Sequence, residues 1–202
     1  MNFGLYIIIT NPVLPHTRIA EICVRQNIKF LQLREKDMDD KTFSNIASDI
    51  LSITKNSNTM FIINDRVNLC RLINADGVHI GQDDMPFHEA KSTLKKDAII
   101  GVSTHNIEQA KTAIANNPTY IGFGPIYKTP TKKIPDPVVG CDLLTEVLNF
   151  SKIPVVAIGG IDEFNIHEVI KAGAKNICMV RALMNSFDFE DKLKKINDLI
   201  NK

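Results

Sequence analysis

The stretch FLQLREKD, residues 30–37, places three long polar side chains at alternate positions of a run that begins as apolar. They are Gln32, Arg34 and Lys36, and in an extended chain they share one face because alternate side chains of a strand point the same way. Two cations on one face are costly without an anion nearby, so the pattern indicates an anion-binding site. The alternative is that Arg34 and Lys36 form ion pairs within the protein.

Two carboxylates follow other apolar runs. Asp65 comes directly after MFIIN, which ends in Asn64, and Asp84 lies in the segment HIGQDD. Together they would offer the hard oxygen ligands with which proteins hold Mg²⁺ beside substrate phosphates. The alternative for each is a helix cap, a common role for Asp in front of a helix.

A hydroxyl and an imidazole follow a further run, in the segment GVSTHN. Ser103 is suited either to binding a phosphate oxygen or to capping the next helix. His105 is the better candidate for proton transfer. His79 lies inside an apolar strand, where a buried and hydrogen-bonded histidine is the expectation.

The segment GFGPIYKTPTKK, residues 122–133, is the least core-like part of the chain. A polar loop of this kind often closes over a substrate, and a merely solvated basic loop is the alternative. Its hydroxyls and amines belong to Thr129, Thr131, Lys132 and Lys133.

The elements that must position these residues repeat along the chain. Short apolar runs occupy residues 5–10, 29–34, 60–64, 77–81, 99–103, 120–124, 155–160 and 176–180, and apolar residues recur with helical spacing between them. Buried strands that alternate with helices indicate a parallel sheet covered by helices. Eight such units predict an α/β fold, a (β/α)8 TIM barrel that spans residues 1–202 as a single catalytic domain.

In such a barrel the site is formed by the carboxyl ends of the strands and the loops after them, where all the candidates above fall. Gly159, Gly160 and Arg181 follow strands 7 and 8, the recurrent phosphate-binding position of these barrels. Cations, a carboxylate pair and a phosphate-type loop on one rim indicate an anion with more than one phosphate, bound with Mg²⁺.

The composition argues against several other classes of function. Lys and Arg number 24 against 23 Asp and Glu, so no overall basic field would attract nucleic acid. The four cysteines are far apart and lack C-x-x-C spacing, as expected for reduced thiols in a cytoplasmic protein. The segment MNFGLYIIITNP lacks the basic region of a signal peptide, and no stretch is long enough to span a bilayer. We therefore expect small-molecule partners, with neither nucleic acid nor membrane.

Six segments, in order, resemble the thiamine phosphate synthase family, also called thiamine-phosphate pyrophosphorylase. They are QLREK (32–36), IINDR (62–66), DGVHIGQDD (76–84), IIGVSTHN (99–106), YIGFGPIYKTPTK (120–132) and VVAIGGI (155–161). The resemblance implies that 4-amino-2-methyl-5-hydroxymethylpyrimidine diphosphate is joined to 4-methyl-5-(2-hydroxyethyl)thiazole phosphate, giving thiamine phosphate and pyrophosphate. It also implies that diphosphate leaves first and that the thiazole nitrogen captures the resulting pyrimidine methyl cation.

The resemblance further implies a role for each matching position. Asp65 and Asp84 would bind Mg²⁺, and Ser103 would contact the departing pyrophosphate. The pyrimidine diphosphate would be held by Gln32, Arg34, Lys36, Asn64 and Lys132. The thiazole phosphate would be held by Thr129, Thr131, Gly160, Val180 and Arg181. The expected catalytic residues are Arg34, Lys36, Ser103 and Lys132.

One position departs from the family pattern, because Arg181 stands where the family usually has a serine. A guanidinium either binds phosphate through two hydrogen bonds or fills the space of the ligand. Two rival functions share the fold: a thiazole tautomerase that uses His105 to move a proton, and a barrel that binds thiamine intermediates without catalysis. A homo-oligomer is compatible with this fold, although the sequence has no recognisable interface pattern.

Overall fold

A computed structural model shows a closed barrel of eight parallel strands, which confirms the predicted (β/α)8 fold. The structure describes residues 2–130 and 136–200. The strands are β1 (Gly4–Ile9), β2 (Phe30–Leu33), β3 (Met60–Asn64), β4 (Gly77–Ile80), β5 (Ile99–Thr104), β6 (Tyr120–Phe123), β7 (Val155–Ile158) and β8 (Asn176–Met179). They pair in chain order, and β8 pairs with β1 to close the barrel.

Helices connect the strands on the outside of the barrel. Within the described residues they are α1 (His16–Arg25), α2 (Asp40–Thr54), α3 (Val67–Ile73), α4 (Phe87–Thr93), α5 (Ile107–Ala115), α6 (Gly140–Phe150), α7 (Ile166–Lys171), α8 (Arg181–Met184) and α9 (Phe189–Ile200). The strict alternation predicted from the sequence differs at its end, where β8 is followed by the single turn α8 and then by α9. Leu183 and Met184 anchor that turn in the core.

The hydrophobic core forms two layers. The larger layer lies between the sheet and the helices, and a smaller one fills the inside of the barrel. Phe3 and Phe30, near the amino ends of β1 and β2, pack with ring centroids 4.4 Å apart and close that end. The interior is therefore a packed core, and in a barrel of this kind ligands bind at the carboxyl ends of the strands.

The four cysteines Cys23, Cys70, Cys141 and Cys178 are free thiols, as predicted. Burial raises the pKa of Cys70 to about 12, and it raises the pKa of the Cys23 and Cys178 thiols as well. None of the helices in the described parts of the chain has the length and apolar character needed to cross a membrane.

Candidate active site

A cavity of about 460 Å³ opens at the carboxyl ends of the strands. The ends of β1, β2, β5, β6, β7 and β8 all contribute to its wall. The predicted site residues that line it are Arg34, Ser103, Thr129, Gly160, Val180 and Arg181. The cavity therefore brings the described part of the predicted thiazole phosphate set together with one cation of the diphosphate set.

The loop after β7 is shaped by two glycines. Gly159 and Gly160 have φ of 101° and 68°, in the left-handed region that favours glycine. A Cβ on Gly160 would lie 2.7 Å from the carbonyl oxygen of Tyr127, so a larger residue does not fit there. Asn165 Nδ2 donates to the Gly160 carbonyl at 2.9 Å and holds the loop. Its backbone lies at the cavity wall, as a phosphate-binding loop requires.

The carboxylates of Asp65 and Asp84 lie together at the ends of β3 and β4. Neither caps a helix, because the N-cap residues of α3 and α4 are Arg66 and Pro86 and neither helix has a side-chain cap. Asp84 Oδ2 accepts the N–H of Gly81 at 2.7 Å. Burial, followed by a hydrogen bond with Asp65, raises the pKa of Asp84. Two carboxylates this close favour either a shared proton or a bound cation.

Asp65 is held in place by its backbone and by a neighbouring lysine. Its φ of 59° lies in the left-handed region, which Asp tolerates better than most side chains. Its N–H donates to the His79 carbonyl at 2.9 Å. Lys36 Nζ lies 2.9 Å from Asp65 Oδ2. Lys36 therefore does pair within the protein, as the alternative predicted, and its partner is a predicted metal ligand.

Glu35, which lies between the two predicted cations Arg34 and Lys36, was not singled out by the sequence analysis. It is only 6% exposed, while Lys36 next to it is exposed. Its Oε1 accepts the N–H of Asn11 at 2.9 Å and lies 2.8 Å from Nε2 of His16. Glu35 therefore ties the loop after β2 to the loop after β1.

Arg66 is a second support of the same loop that the sequence analysis missed. Its guanidinium donates to the carbonyls of Glu35 and Met38 and lies 4.1 Å from the ring centroid of Phe43. Arg66 directly follows Asp65, so one segment both carries a predicted metal ligand and fixes the loop that carries Lys36.

Gln32 and Asn64 are buried, with exposures of 1% and 7%. Gln32 Nε2 donates to the hydroxyl of Tyr6 at 2.8 Å, and its Oε1 has no hydrogen-bond partner among the described residues. Asn64 pairs in register with His79 across β3 and β4. Gln32 and Asn64 therefore lie deeper in the barrel than Lys36, which is exposed.

Ser103 is held by a histidine and does not cap a helix. The cap of α5 is Asn106, whose side chain accepts the N–H of Gln109 at 2.8 Å. Ser103 Oγ lies 2.8 Å from Nε2 of His79. His79 is thus hydrogen-bonded inside the barrel, as its strand position predicted, but it is half-buried and not fully buried. The phosphate-binding role of Ser103 stays a prediction.

His105, the predicted candidate for proton transfer, lines the cavity. Its Nδ1 donates to the Gly124 carbonyl at 2.7 Å, because a carbonyl oxygen can only accept. Its Nε2 lies 3.7 Å from Oδ2 of Asp136.

Thr131 and Lys132 lie outside the described residues, so their roles stay predictions. Lys128 lines the cavity beside Thr129 and is a further cation that the sequence analysis did not single out. In the ranges 2–130 and 136–200, no cluster of three or more His, Cys, Asp or Glu side chains could hold a metal. A site of two carboxylates needs its other oxygen ligands from substrate phosphates and water.

Comparisons with known proteins identify the family of this chain. Residues 5–183 match the family described as thiamine monophosphate synthase. The thiamine-phosphate synthase of Caldicellulosiruptor saccharolyticus is 39% identical over 184 residues, covering 91% of this chain and 83% of the relative. That of Clostridium acetobutylicum is 38% identical, covering 100% of this chain and 97% of the relative.

A solved structure extends the likeness to three dimensions. The thiamine phosphate pyrophosphorylase of Pyrococcus furiosus superimposes with a TM-score of 0.87 at 29% identity, covering 99% of this chain and 98% of that one. Sequence and fold therefore point to the same family. The chain therefore belongs to the thiamine monophosphate synthase family and is a transferase of thiamine biosynthesis.

Proposed function

We propose that this rim joins 4-amino-2-methyl-5-hydroxymethylpyrimidine diphosphate to 4-methyl-5-(2-hydroxyethyl)thiazole phosphate and releases pyrophosphate. The observation that carries the proposal is the carboxylate pair Asp65 and Asp84 with Lys36 beside it. A thiazole tautomerase has no diphosphate to bind and would not need this set. A barrel that only binds intermediates holds no departing diphosphate, so it has no growing negative charge for a metal to neutralise.

The carboxylate pair is suited to Mg²⁺. Burial, and after it the neighbouring Asp65, raises the pKa of Asp84, because two charged carboxylates in contact repel each other. A cation would relieve that repulsion, and the diphosphate would supply further oxygen ligands. When bound, Mg²⁺ supplies charge neutralisation for the departing diphosphate. Arg34 and Lys36 add positive charge on the same side, and Lys132 supplies a further cation.

In the reaction, the bond between the pyrimidine methylene carbon and the diphosphate oxygen breaks, and its electron pair leaves with the diphosphate. The thiazole nitrogen then donates its lone pair to the methylene carbon. No proton moves in either step, so the site needs no general base. Ser103 contacts the departing pyrophosphate, whose negative charge grows as the bond breaks.

Gln32 and Asn64 hold the pyrimidine end of the first substrate. The thiazole phosphate binds in the cavity, where the glycine loop and α8 present backbone groups and Arg181 presents a guanidinium. The residues that hold it are Thr129, Thr131, Gly160, Val180 and Arg181.

The test is an endpoint assay with purified protein, both substrates and either Mg²⁺ or a chelator, with the product identified by mass spectrometry. Thiamine phosphate formed only with metal is the expected result. Asp65→Ala and Asp84→Ala should abolish turnover while the fold is kept, as checked by circular dichroism. Activity near that of the unchanged protein at limiting Mg²⁺ in either variant would refute the metal assignment.

Two other outcomes would identify the rival functions. Isomerisation of a thiazole carboxylate phosphate that is lost in His105→Ala would assign the chain to the tautomerase. Binding of both substrates without any product would assign it to the non-catalytic class. Lys132→Ala should reduce turnover strongly, and unchanged kinetics would show that the loop after β6 is only a solvated cover.

The remaining parts of the proposal concern the whole protein. Residues 1–202 act as one catalytic domain on small molecules, without nucleic acid or membrane, and in the cytoplasm, where the four free thiols stay reduced. A homo-oligomer fits this fold. Light scattering at several protein concentrations would test it, and a constant monomer mass would exclude it.

A further inference from the structure

A chain of hydrogen bonds crosses the inside of the barrel and connects two predicted substrate-binding residues. Its links are Gln32 Nε2 to the Tyr6 hydroxyl at 2.8 Å, Tyr6 to the Tyr120 hydroxyl at 2.7 Å, Tyr120 to His79 Nδ1 at 3.0 Å, and His79 Nε2 to Ser103 Oγ at 2.8 Å. We call these side chains the interior relay. It runs from β2 through β1, β6 and β4 to β5.

A glycine lets the middle of the interior relay form. His79 on β4 and Tyr120 on β6 both pair in register with Gly101 on β5, which lies between them. A Cβ on Gly101 would clash with the ring and the hydroxyl of Tyr120, so any other residue would displace that ring. Because Gly101 has no side chain, the rings of His79 and Tyr120 stack with centroids 5.5 Å apart.

The two tyrosines are buried and keep their protons. Tyr6 is 2% exposed and Tyr120 is fully buried. Burial raises the pKa of both phenols above the usual value for tyrosine. Each hydroxyl therefore donates one hydrogen bond, and a buried donor left without an acceptor costs about 1–3 kcal/mol.

These constraints fix which atom donates and which accepts in each hydrogen bond of the interior relay. Tyr6 accepts from the amide of Gln32, so its own proton goes to Tyr120. Tyr120 then donates to Nδ1 of His79. A neutral imidazole carries its proton on one nitrogen, so Nε2 of His79 donates to Ser103.

The two ends of the interior relay are left with opposite hydrogen-bonding roles, one as an acceptor and the other as a donor. Gln32 presents Oε1, an acceptor with no hydrogen-bond partner in the described parts of the chain. Ser103 accepts from His79 and therefore keeps its own hydroxyl proton for another acceptor. The pyrimidine diphosphate has a donor, its exocyclic amine, and acceptors, its phosphate oxygens.

We infer that Tyr6, Tyr120 and His79 are positioning residues that set Gln32 as an acceptor for the pyrimidine amine and Ser103 as a donor to the diphosphate. This inference rests on the proposed function. It adds a reason why the site needs buried tyrosines: without them, Ser103 is free to donate to His79 and then offers the diphosphate a lone pair instead of a proton. The effect falls on bond breaking, because the negative charge on the diphosphate rises in that step.

The first test is the tautomer of His79, which needs no turnover. Imidazole ¹⁵N chemical shifts of the full-length labelled protein, assigned by the signals lost in His79→Asn, should show the proton on Nε2. In Tyr120→Phe, both tautomers should be present. A proton on Nδ1 in the unchanged protein would overturn the inference, whether or not the protein makes thiamine phosphate.

The second test is kinetic. Tyr120→Phe removes one hydroxyl that touches neither substrate nor metal in the proposed site. It should lower kcat about tenfold, the size expected for one weakened hydrogen bond, and change KM for the pyrimidine diphosphate by less than about twofold. Tyr127→Phe is the matched control, because the Tyr127 hydroxyl bonds Glu168 outside the interior relay. It should leave kcat unchanged.

A double-mutant cycle separates the inference from a general loss of packing. In a Ser103→Ala background, Tyr120→Phe should have no further effect on kcat, since the proton that it misdirects is already gone. An undiminished effect in that background would show that Tyr120 acts only through structure. If the unchanged protein makes no thiamine phosphate, the proposed function fails, and the ¹⁵N result still reports on the relay.

Discussion

Lys36 and Asp65 hold each other across two neighbouring loops, with Nζ of Lys36 2.9 Å from Oδ2 of Asp65. In the proposed reaction Lys36 binds a phosphate and Asp65 binds Mg²⁺, so both must leave this pair when substrate and metal enter. The ion pair thus keeps two functional groups together by mutual attraction in the metal-free protein. It also means that Lys36 competes with Mg²⁺ for Asp65.

Lys36→Met should therefore strengthen binding of Mg²⁺ alone while weakening catalysis. The side chains are 51% and 23% exposed, and exposed pairs contribute about 0.2–1 kcal/mol, so metal affinity should rise by at most about fivefold. Turnover should fall at least tenfold, because the diphosphate loses a cation. Calorimetric titration with Mg²⁺ in the absence of substrate measures the first effect.

Lys152→Met is the control for Lys36→Met, because Lys152 is exposed and precedes β7 at the opposite end of the barrel. It should change neither metal affinity nor turnover. Weaker Mg²⁺ binding in Lys36→Met would contradict the competition between the lysine and the metal.

Asp84→Asn should raise the stability of the metal-free protein at neutral pH. Burial and the neighbouring Asp65 raise the pKa of Asp84 in the folded protein. The folded state then holds the Asp84 proton more tightly than the unfolded chain does. The contribution of this proton to the free energy of unfolding is therefore full at low pH and is lost as pH rises through the folded pKa. Melting temperatures in chelator across the acid range should show that loss in the unchanged protein and a smaller one in Asp84→Asn.

Added Mg²⁺ should reverse the order of stability of the unchanged protein and Asp84→Asn. It should raise the melting temperature of the unchanged protein and have little effect on Asp84→Asn, because a ligand stabilises only the state that binds it. Asp83→Asn removes an exposed carboxylate one residue away and should behave like the unchanged protein. An equal Mg²⁺ response in Asp84→Asn would exclude Asp84 as a ligand.

The barrel was predictable because its signal is repeated along the chain. Each strand is a short apolar run, and the apolar residues of each connection recur with helical spacing. The prediction of the fold therefore does not depend on any one element. The rule that sites lie at strand ends then placed Arg34, Ser103 and Gly160 on one rim, and the cavity is lined by all three. The helix-cap alternative for Asp65 could not be rejected from sequence, since it depends on a backbone φ of 59° and on where α3 begins.

The interior relay was missed for a different reason. Tyr6 and Tyr120 lie in apolar runs and look like ordinary core residues. Their hydroxyls form a hydrogen bond although the two residues are 114 positions apart in the sequence. Which side chains meet inside a barrel depends on strand register, which periodicity does not give. The one available signal was Gly101, a residue without a side chain in the middle of an apolar strand, where close approach of another group is expected.

Glu35→Ala should destabilise the loops after β1 and β2, which Glu35 connects. The substitution leaves the N–H of Asn11 and the imidazole of His16 without their shared acceptor. Since Glu35 is 6% exposed, the loss should cost about 1–3 kcal/mol and lower the melting temperature by several degrees. The KM for the pyrimidine diphosphate should rise as well, because Arg34 and Lys36 flank this position.

Thermal melts and steady-state kinetics measure both effects of Glu35→Ala. Glu35→Gln keeps an acceptor oxygen and should recover part of each. Glu21→Ala removes an exposed glutamate of α1 and should affect neither quantity. A melting temperature equal to that of the unchanged protein would show that the contacts of Glu35 do not stabilise the rim.

Arg181→Ser tests what the guanidinium does in the proposed thiazole phosphate site. Arg181 is exposed and lines the cavity beside Gly160 and Val180. A charge-assisted hydrogen bond to phosphate is worth about 1.5–3 kcal/mol, so KM for the thiazole phosphate should rise at least tenfold and depend less on salt. The KM for the pyrimidine diphosphate should not change. Arg181→Lys keeps the charge without the planar fork and should give an intermediate KM. A lower KM in Arg181→Ser would show instead that the arginine occupies space that the phosphate needs.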